Sequence, residues 1–254
     1  MINMTLFDIE LFWLHVSPSF YGLMYALSFL IGFWVLKKRN QFTELQLDNL
    51  FLYVFLGVIL WWRFWYVVFY NFNHYLNNLW DVLKFWEWGM SFHWWVLWVV
   101  FAMILFSRRN KLNFYKVADE VCAILPIGLG LWRLWNYANN ELLGYAGYNG
   151  YLSIMIDWIW YFPSTLLESL LEWLILWIIL LYLYKNKKYN GQVASVFLIW
   201  YGVLRFIVEL FFRQPDVHIW YVFSVFSMWS LLSIPMVIIW IYFYVHLSKD
   251  RINK

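Results

Sequence analysis

The chain has 254 residues and a formal net charge of +3, and 64% of its residues are hydrophobic while only 13% are charged. Soluble globular proteins contain roughly half apolar and about a quarter charged residues. A chain of this length has too small an interior to remove so much apolar surface from water, so most of it is expected to face lipid. The small net charge and the scattered basic residues argue against nucleic acid as a partner. The single Cys122 excludes a disulfide framework and a thiolate metal site.

Seven segments are apolar enough to cross a bilayer as helices, which takes about 20 mainly apolar residues. They are 20–36, 50–70, 91–106, 114–134, 163–184, 192–212 and 221–247. The third is short, which indicates a tilted helix or a re-entrant neighbour. The acidic N-terminus lacks the basic region of a cleaved signal peptide, so no such peptide is predicted. The sequence therefore predicts an all-α integral membrane protein with seven transmembrane helices, in a single domain over residues 1–254.

The basic residues predict the orientation of these helices. Thirteen of the 18 Lys and Arg residues follow spans one, three, five and seven, at 37–39, 108–116, 185–188 and 249–254. Because basic loops stay in the cytoplasm, the N-terminus is predicted to lie outside and the C-terminus inside. The loop 136–162, rich in Asn, Gly and Tyr, is then predicted to form a small extracytoplasmic cap.

Three arginines lie in or beside predicted spans: Arg63 in the second, Arg133 in the fourth and Arg205 in the sixth. An Arg at a helix centre costs about 2.5–3.5 kcal/mol to insert, so such a residue usually faces a polar cavity. Arg205 and Glu209 are four residues apart and can pair on one helix face. One interpretation is that these charges form structural ion pairs. The other is that the guanidinium groups hold an anion, and the abundant phosphate of a membrane is a lipid headgroup.

Three further titratable residues draw attention. Glu168 and Glu172 are also four residues apart, but like charges repel unless one is protonated or meets an Arg. His93 begins the third span, and the usual pKa of His, about 6.5, suits proton transfer at neutral pH. A lone His at a membrane interface is, however, more often an interfacial residue without a chemical role. No HExxH, P-loop, GxSxG or CxxC pattern is present, so no metal or other cofactor is predicted.

Six stretches of the sequence resemble the bacterial prolipoprotein diacylglyceryl transferases, in the order that this family has them. They are FYGLMY (20–25), WWRFWYVVFYNF (61–72), WEWGMSFHWW (86–95), PIGLGLWRLWNYANNEL (126–142), FLIWYGVLRFIVELFFRQPD (197–216) and SMWSLLSIPM (227–236). The fourth overlaps the family signature G-R-x-G-N-F-x-N-x-E. The family's seven-helix topology, with the N-terminus outside, agrees with the one predicted above.

The resemblance implies an enzyme of lipoprotein biosynthesis in the bacterial inner (plasma) membrane. Such an enzyme moves the diacylglyceryl group of phosphatidylglycerol to the thiol of the lipobox Cys in a prolipoprotein signal peptide, forming a thioether and releasing glycerol phosphate. His93 matches the family's GMSFHGG stretch and is the candidate general base. Arg133 and Arg205 match the essential Arg positions and would hold the lipid phosphate. The other matching positions, predicted to bind substrate, are Tyr21, Asn136, Asn139, Glu141, Tyr201 and Glu209, of which Glu209 could instead orient Arg205.

The chain also departs from the family's motifs. The family's E-x-x-G-R run reads ELLGY here (141–145), and its H-P-S-Q-L-Y-E run reads FPSTLLE (162–168), without the His, Gln and Tyr. These departures leave open an inactive family member. A non-enzymatic lipid or anion transporter is a second alternative, although the sequence lacks the paired, related halves that are common in transporters.

Twelve tryptophans stand where the family pattern has glycine. They are Trp61, Trp62, Trp65, Trp88, Trp94, Trp95, Trp98, Trp132, Trp135, Trp173, Trp200 and Trp229. Glycine permits positive φ and close helix contact, whereas Trp prevents both. One interpretation is a divergent protein in which Trp adds bulk or stacks on Arg. We favour a second hypothesis, in which the gene encodes glycine with UGA, a codon that some bacterial genetic codes read as Gly and others as Trp.

Overall fold

The computed structural model describes residues 9–11, 14–16, 20–69, 92–213, 221–222 and 226–252. They form two compact units, one of residues 33–118 and the other of residues 1–32 and 119–254. The boundaries fall within helix α1 (Phe20–Arg39) and within helix α4 (Phe114–Cys122). The prediction of a single domain stays a prediction.

The smaller unit, residues 33–118, is built on two long helices, α2 (Glu44–Phe69) and α3 (Phe92–Arg109), which pack against each other. α2 begins with a capping box: the Gln46 N–H donates to Thr43 Oγ1 at 3.3 Å, and the Thr43 N–H donates to Gln46 Oε1 at 3.0 Å. Each side chain thereby satisfies a backbone donor that the helix leaves unpaired. The buried apolar side chains of this unit include Leu36, Phe42, Leu47, Leu50, Val99, Ala102, Met103, Phe106, Val117 and Ala118.

The larger unit contains the helices that carry most of the predicted site. Its helices after α4 are α5 (Leu125–Ala138), α6 (Ser164–Glu168), a π-helix (Ser169–Ile175), α7 (Leu176–Asn186), α8 (Gln192–Phe211) and α9 (Met228–Ile252). α5 packs against α6 and the π-helix, while α8 packs against α7 and α9. Its buried apolar side chains include Val121, Cys122, Ala123, Ile127, Leu176, Leu180, Val193, Ala194, Phe197, Leu204 and Val208. Cys122 therefore packs in the interior.

In the part of the chain that the structure describes, three short antiparallel hairpins accompany the helices, and the all-α prediction missed them. They are β1–β2 (Ile9–Leu11 with Leu14–Val16), β3–β4 (Ile154–Ile156 with Ile159–Tyr161) and β5–β6 (Tyr221–Val222 with Phe226–Ser227). The β3–β4 hairpin lies in the predicted cap, 136–162, where Ala146 also pairs with Tyr161. The cap segment is therefore folded, and its position outside the membrane stays a prediction.

Each of the seven predicted spans contains helix, with three differences in detail. The fourth, 114–134, is divided between α4 and α5, because Pro126 lies in the first turn of α5 and has no N–H for a continuous helix. The fifth changes from α-helix to π-helix after Glu168. The last helix begins at Met228 instead of 221, since β5 and β6 precede it.

The distribution of side chains suits a membrane protein. Among the described residues, two helical segments are long and apolar enough to cross a bilayer: Ser164–Asn186 with a mean hydropathy of 2.0 and Gln192–Phe211 with 1.8. Large apolar side chains such as Leu30, Trp34 and Tyr182 are exposed, whereas several Asp, Glu and Arg side chains are buried. This is the reverse of the usual preference in soluble proteins. The number of spans and their orientation stay predictions.

Asp119, which is completely buried on α4, caps the beginning of α8. Its Oδ2 accepts the Gly191 N–H at 3.0 Å, and its Oδ1 accepts the Ala194 N–H at 3.0 Å. Lys187 Nζ lies 3.5 Å from Oδ2. Gly191 has a φ of 93°, in the left-handed region that favours glycine. A carboxylate here satisfies donors at the helix N-terminus and opposes the positive end of the helix dipole.

We therefore expect Asp119→Ala to destabilise the chain by about 2 kcal/mol, the upper end of the range for a lost helix cap. The reason is that two backbone N–H groups at the start of α8 lose their acceptor. The midpoint of thermal unfolding in detergent measures the effect, with Asp48→Ala, on the exposed Asp48 of α2, as the matched control. Equal midpoints for the two variants would contradict the capping role.

Candidate active site

A cluster of buried charged side chains surrounds Glu168, at the end of α6. Glu168 is completely buried, and three guanidinium groups contact its carboxylate. Arg205 Nη1 donates to Glu168 Oε1, and Arg213 Nη1 donates to the same oxygen at 3.2 Å. Arg133 Nε lies 3.0 Å from the other oxygen, Oε2. Since an unpaired carboxylate is very costly in an apolar interior, these cations account for the burial of Glu168.

The last part of α8 and the residues after it supply two of the three arginines. Arg205, Glu209 and Arg213 follow one another at intervals of four residues. Arg205 Nη2 lies 3.2 Å and Arg213 Nη1 lies 3.4 Å from Glu209 Oε2. The predicted pairing of Arg205 with Glu209 is thereby confirmed. The backbone of Arg213 is in turn held by an antiparallel bridge to Gly144, where a Cβ atom would clash with the carbonyl oxygen of Phe162.

Glu172 is a second completely buried carboxyl group, one turn beyond Glu168 on the π-helix. Its Oε2 lies 3.8 Å from Arg133 Nε. Neither of its oxygens accepts a hydrogen bond from the residues that the structure describes. The sequence left two ways to relieve the repulsion between Glu168 and Glu172, protonation of one group or contact with an Arg, and the structure shows contact with Arg133. The change to a π-helix at this point is notable because π-helical turns occur frequently at functional sites.

The predicted signature residues form a chain of hydrogen bonds that begins at Arg133. Arg133 Nη1 donates to Asn136 Oδ1 at 3.5 Å, and Asn136 Nδ2 donates to Glu141 Oε2 at 2.8 Å. Asn139 Nδ2 donates to the other oxygen of Glu141 at 3.4 Å. The structure thus brings Arg133, Asn136, Asn139 and Glu141 together, and the Glu141 carboxylate fixes the amide that contacts Arg133.

Of the other predicted site residues, the structure describes the side chain of Tyr201 but not those of Tyr21, His93 and Arg63. Tyr201 lies on α8 four residues before Arg205, and its ring stacks on Phe197 with centroids 5.9 Å apart. Tyr21, His93 and Arg63 lie on α1, α3 and α2, but their side chains fall outside the described residues. His93 also belongs to the smaller unit, whereas the arginine cluster belongs to the larger. Its role as a base therefore stays a prediction.

The geometry of the cluster defines what it can bind. Guanidinium groups from two separate segments converge in an apolar interior, and guanidinium donates in pairs to carboxylate or phosphate oxygens. Among the residues that the structure describes, and with all groups ionised, the charges of the three arginines are balanced by those of Glu168, Glu172 and Glu209. An anion that enters the cluster must therefore share the N–H donors that these carboxylates now occupy.

Sequence reasoning did not assign Glu168, Glu172 or Arg213 to the site. For Arg213 a signal was present, because it continues the four-residue spacing of Arg205 and Glu209. For Glu168 the signal was its position in an apolar span four residues before Glu172, which called either for protonation of one carboxyl group or for contact with an Arg. No sequence pattern indicated that three arginines would contact Glu168.

Two of the twelve tryptophans at family glycine positions, Trp98 and Trp173, pack directly against glycines of this chain. A Cβ atom at Gly57 would collide with the indole of Trp98, and one at Gly130 would collide with the indole of Trp173. Trp98 Nε1 also donates to the carbonyl oxygen of Tyr53 at 3.3 Å. With tryptophan on the facing helix, neither glycine tolerates a larger residue. Glycine at 98 and 173 would instead remove the indole from each contact, and small residues let membrane helices approach closely.

Comparison with known proteins identifies the family to which these features belong. The sequence matches the family of prolipoprotein diacylglyceryl transferases over residues 9–246. A similar protein, the phosphatidylglycerol–prolipoprotein diacylglyceryl transferase of Pasteurella multocida (strain Pm70), is 38% identical over 239 residues, which cover 88% of this chain and 86% of that protein. This chain belongs to the prolipoprotein diacylglyceryl transferase family. The family predicted from the sequence is confirmed.

Two further relatives carry the same name. The protein of Aeromonas hydrophila subsp. hydrophila is 36% identical over 238 residues, covering 88% of this chain and 84% of its own length. The protein of Nitratidesulfovibrio vulgaris (strain DP4) is 36% identical over 234 residues, covering 86% of each chain. The prolipoprotein diacylglyceryl transferase family is a family of transferases, so the predicted enzyme class is confirmed at this level.

Proposed function

We propose that this chain transfers the diacylglyceryl group of phosphatidylglycerol to the thiol of the lipobox Cys of prolipoproteins. Membership of the transferase family supports the reaction, and the relatives carry both substrates in their name. The observation that carries the proposal for these residues is the convergence of Arg133 and Arg205 on Glu168. It joins arginines from α5 and α8 in one buried cluster suited to a phosphate.

In the proposed reaction the Cys thiolate attacks the diacylglycerol carbon that is bonded to the phosphate oxygen. A carbon–sulfur bond forms, the carbon–oxygen bond breaks, and glycerol phosphate leaves with the electron pair. The thiol proton must first be removed, because the thiolate is the nucleophile and a free Cys has a pKa of about 8.5. His93 is the proposed acceptor of that proton, and an imidazole is well matched to this task near neutral pH.

Arg133 and Arg205 are proposed to hold the lipid phosphate and to stabilise the charge that develops on the leaving oxygen. Asn136, Asn139 and Glu141 support this role for Arg133, because they form a continuous hydrogen-bonded chain from its guanidinium group. Tyr21, Tyr201 and Glu209 are proposed as further substrate contacts, matched to the family pattern. Glu209 contacts Arg205 and can hold it in place.

We further propose that the chain crosses the bacterial inner (plasma) membrane seven times, with the N-terminus and the 136–162 cap outside. The apolar composition, the exposed apolar side chains and the buried charges support a membrane location. The two strongly apolar helical segments, Ser164–Asn186 and Gln192–Phe211, support membrane crossing by length and composition. In this arrangement lipid and signal peptide both reach the arginine cluster from within the membrane.

The proposal is tested by incubating purified protein with phosphatidylglycerol vesicles and a lipobox peptide, followed by mass spectrometry of the peptide. Two versions are compared: the chain as written and the chain with glycine at the twelve predicted positions. We expect the glycine version to add a diacylglyceryl group to the Cys peptide and to leave a matched Cys→Ser peptide unchanged. No adduct with either version would contradict the proposal, and lipid or anion uptake without an adduct would favour a transporter.

A further inference from the structure

We propose that Glu168 is a positioning residue, which holds Arg133 and Arg205 so that both guanidinium groups face the same phosphate. This inference rests on the proposed function. The two arginines come from different helices, α5 and α8, and cations brought together in an apolar interior repel each other. Glu168 separates them with one carboxylate, since Oε1 contacts Arg205 and Oε2 faces Arg133.

The position of Glu168 is itself fixed by contacts on both sides in the sequence. The Ser164 hydroxyl donates to the Leu142 carbonyl oxygen at 2.7 Å, at the other end of α6. The Ser169 hydroxyl, immediately after Glu168, donates to the Gly130 carbonyl oxygen at 3.3 Å. Gly130 is three residues before Arg133 on α5. The helix that carries Glu168 is therefore tied to the helix that carries Arg133, and the carboxylate is held at a set distance from that guanidinium group.

The two oxygens of the Glu168 carboxylate also explain why a neutral or shorter side chain would not replace it. A glutamine side chain at this position would present an oxygen to one arginine but an amide N–H to the other, so one contact would become repulsive. An aspartate side chain would keep the charge but withdraw it by one methylene group. Both changes move the arginines relative to each other without removing either, and binding geometry of this kind is sensitive to displacements of about 1 Å.

The test measures transfer at varied phosphatidylglycerol and varied lipobox peptide, with Glu168→Gln, Glu168→Asp and a control, Glu120→Gln. Glu120 is an equally buried carboxyl group, but it contacts the Tyr184 hydroxyl at 2.6 Å and Lys187. We expect Glu168→Gln to lower kcat/KM for phosphatidylglycerol about 100-fold, with the KM for peptide unchanged. Glu168→Asp is expected to recover part of this loss, and Glu120→Gln to leave both constants near those of the unchanged chain.

Rates are normalised to the amount of folded protein, measured by size-exclusion chromatography. If Glu168→Gln does not fold, the effect of Glu168→Asp on the KM for phosphatidylglycerol tests the positioning role. Equal loss in Glu168→Gln and Glu120→Gln, or equal effects on lipid and peptide, would overturn the positioning role while leaving the proposed function intact. The variants are made in the version of the chain that transfers, as written or with glycine at the twelve positions. Absence of transfer by both versions would instead contradict the proposed function, and the positioning role with it.

A different observation carries a second inference: we infer that residue 158 is glycine in the protein as its host makes it, encoded by UGA. Trp158 is not among the twelve tryptophans at family glycine positions. In the β3–β4 hairpin, Ile156 pairs with Ile159, which leaves a two-residue loop of Asp157 and Trp158. Both loop residues have positive φ, 49° at Asp157 and 66° at Trp158.

These are the features of a type I′ hairpin turn, in which both central residues need positive φ and Asp-Gly is a preferred sequence. A bulky residue with positive φ in such a loop is an outlier. The Trp158 side chain is 90% exposed, so packing does not compensate for the strained backbone. Leu142 and Leu152 also have positive φ, but they lie outside any two-residue hairpin loop. Positive φ together with the loop length therefore distinguishes position 158.

The gene sequence and the mass of the corresponding peptide from host membranes test this inference. We expect UGA at codon 158 and a peptide with glycine there. Trp160 is the matched control, because it lies two residues away in β4 as an ordinary strand residue paired with Met155, and UGG and Trp are expected at that position. A UGG codon at 158, or a peptide that carries Trp158, would overturn the inference.

Discussion

Replacing Arg133 with Lys is expected to lower kcat/KM for phosphatidylglycerol by about 10²–10³, the effect of removing one donor that stabilises a developing oxyanion. Lys keeps the positive charge but lacks the planar fork that donates two parallel hydrogen bonds to a phosphate. It also loses the contact of Arg133 Nη1 with Asn136. The loss is measured with lipid vesicles and lipobox peptide, in the version of the chain that transfers.

The matched control for this prediction is Arg108→Lys, which makes the same chemical change at an exposed residue on α3. We expect this variant to retain full activity and membrane insertion. If Arg133→Lys retains activity within a factor of about three of the control, the phosphate-binding role of Arg133 is wrong.

Replacing His93 with Gln is expected to lower transfer by about 10²–10⁴ near neutral pH, the usual contribution of a general base. The side chain of Gln cannot accept the thiol proton. The defect should shrink as the pH rises toward the pKa of a free thiol, about 8.5, because the thiolate then forms without a base. The ratio of unchanged to variant rate, measured across pH, therefore falls with increasing pH.

His246→Gln serves as the control, since His246 lies on α9 and stacks on Tyr242. It should not change the rate or its dependence on pH. A constant ratio between the His93→Gln and unchanged rates at every pH would show that His93 has another role. Near-normal turnover by His93→Gln would remove it from the mechanism.

The sequence predicted those features that depend on local pattern. Apolar segments of sufficient length located the helices, and the four-residue spacing of Arg205 and Glu209 predicted their ion pair, which lies at 3.2 Å. The like charges of Glu168 and Glu172, four residues apart, indicated that one of them is protonated or meets an Arg, and Glu168 meets Arg133. Each of these conclusions follows from neighbours in the chain or from the energy of one group.

Features that depend on contacts distant in the sequence could not be predicted in this way. Nothing near Glu168 indicates that Arg133, Arg205 and Arg213 converge on it, because 35 residues separate it from Arg133 and 37 from Arg205. The division of the fourth span could have been predicted from Pro126, but apolar composition outweighed it. The hairpins were missed because each strand has only two or three residues, too few to show an alternating pattern.

The tryptophans affect both the fold and the site. Trp132 and Trp135 flank Arg133 on α5, and the ring of Trp132 lies 5.0 Å from that of Tyr25. Glycine at these positions would remove bulk next to the proposed phosphate site. The glycine hypothesis therefore predicts UGA codons at these positions, and it predicts that glycine there alters the helix packing and raises the activity. A divergent protein would instead function with its tryptophans in place.

A double-mutant cycle on Arg133→Lys and Arg205→Lys tests most directly the central claim that these arginines grip a single lipid phosphate. Groups that act as a unit give losses that do not multiply. We predict that the double variant loses little more kcat/KM for phosphatidylglycerol than the more impaired single variant. A double variant whose loss equals the product of the two single losses would show that the arginines act independently and would contradict the account.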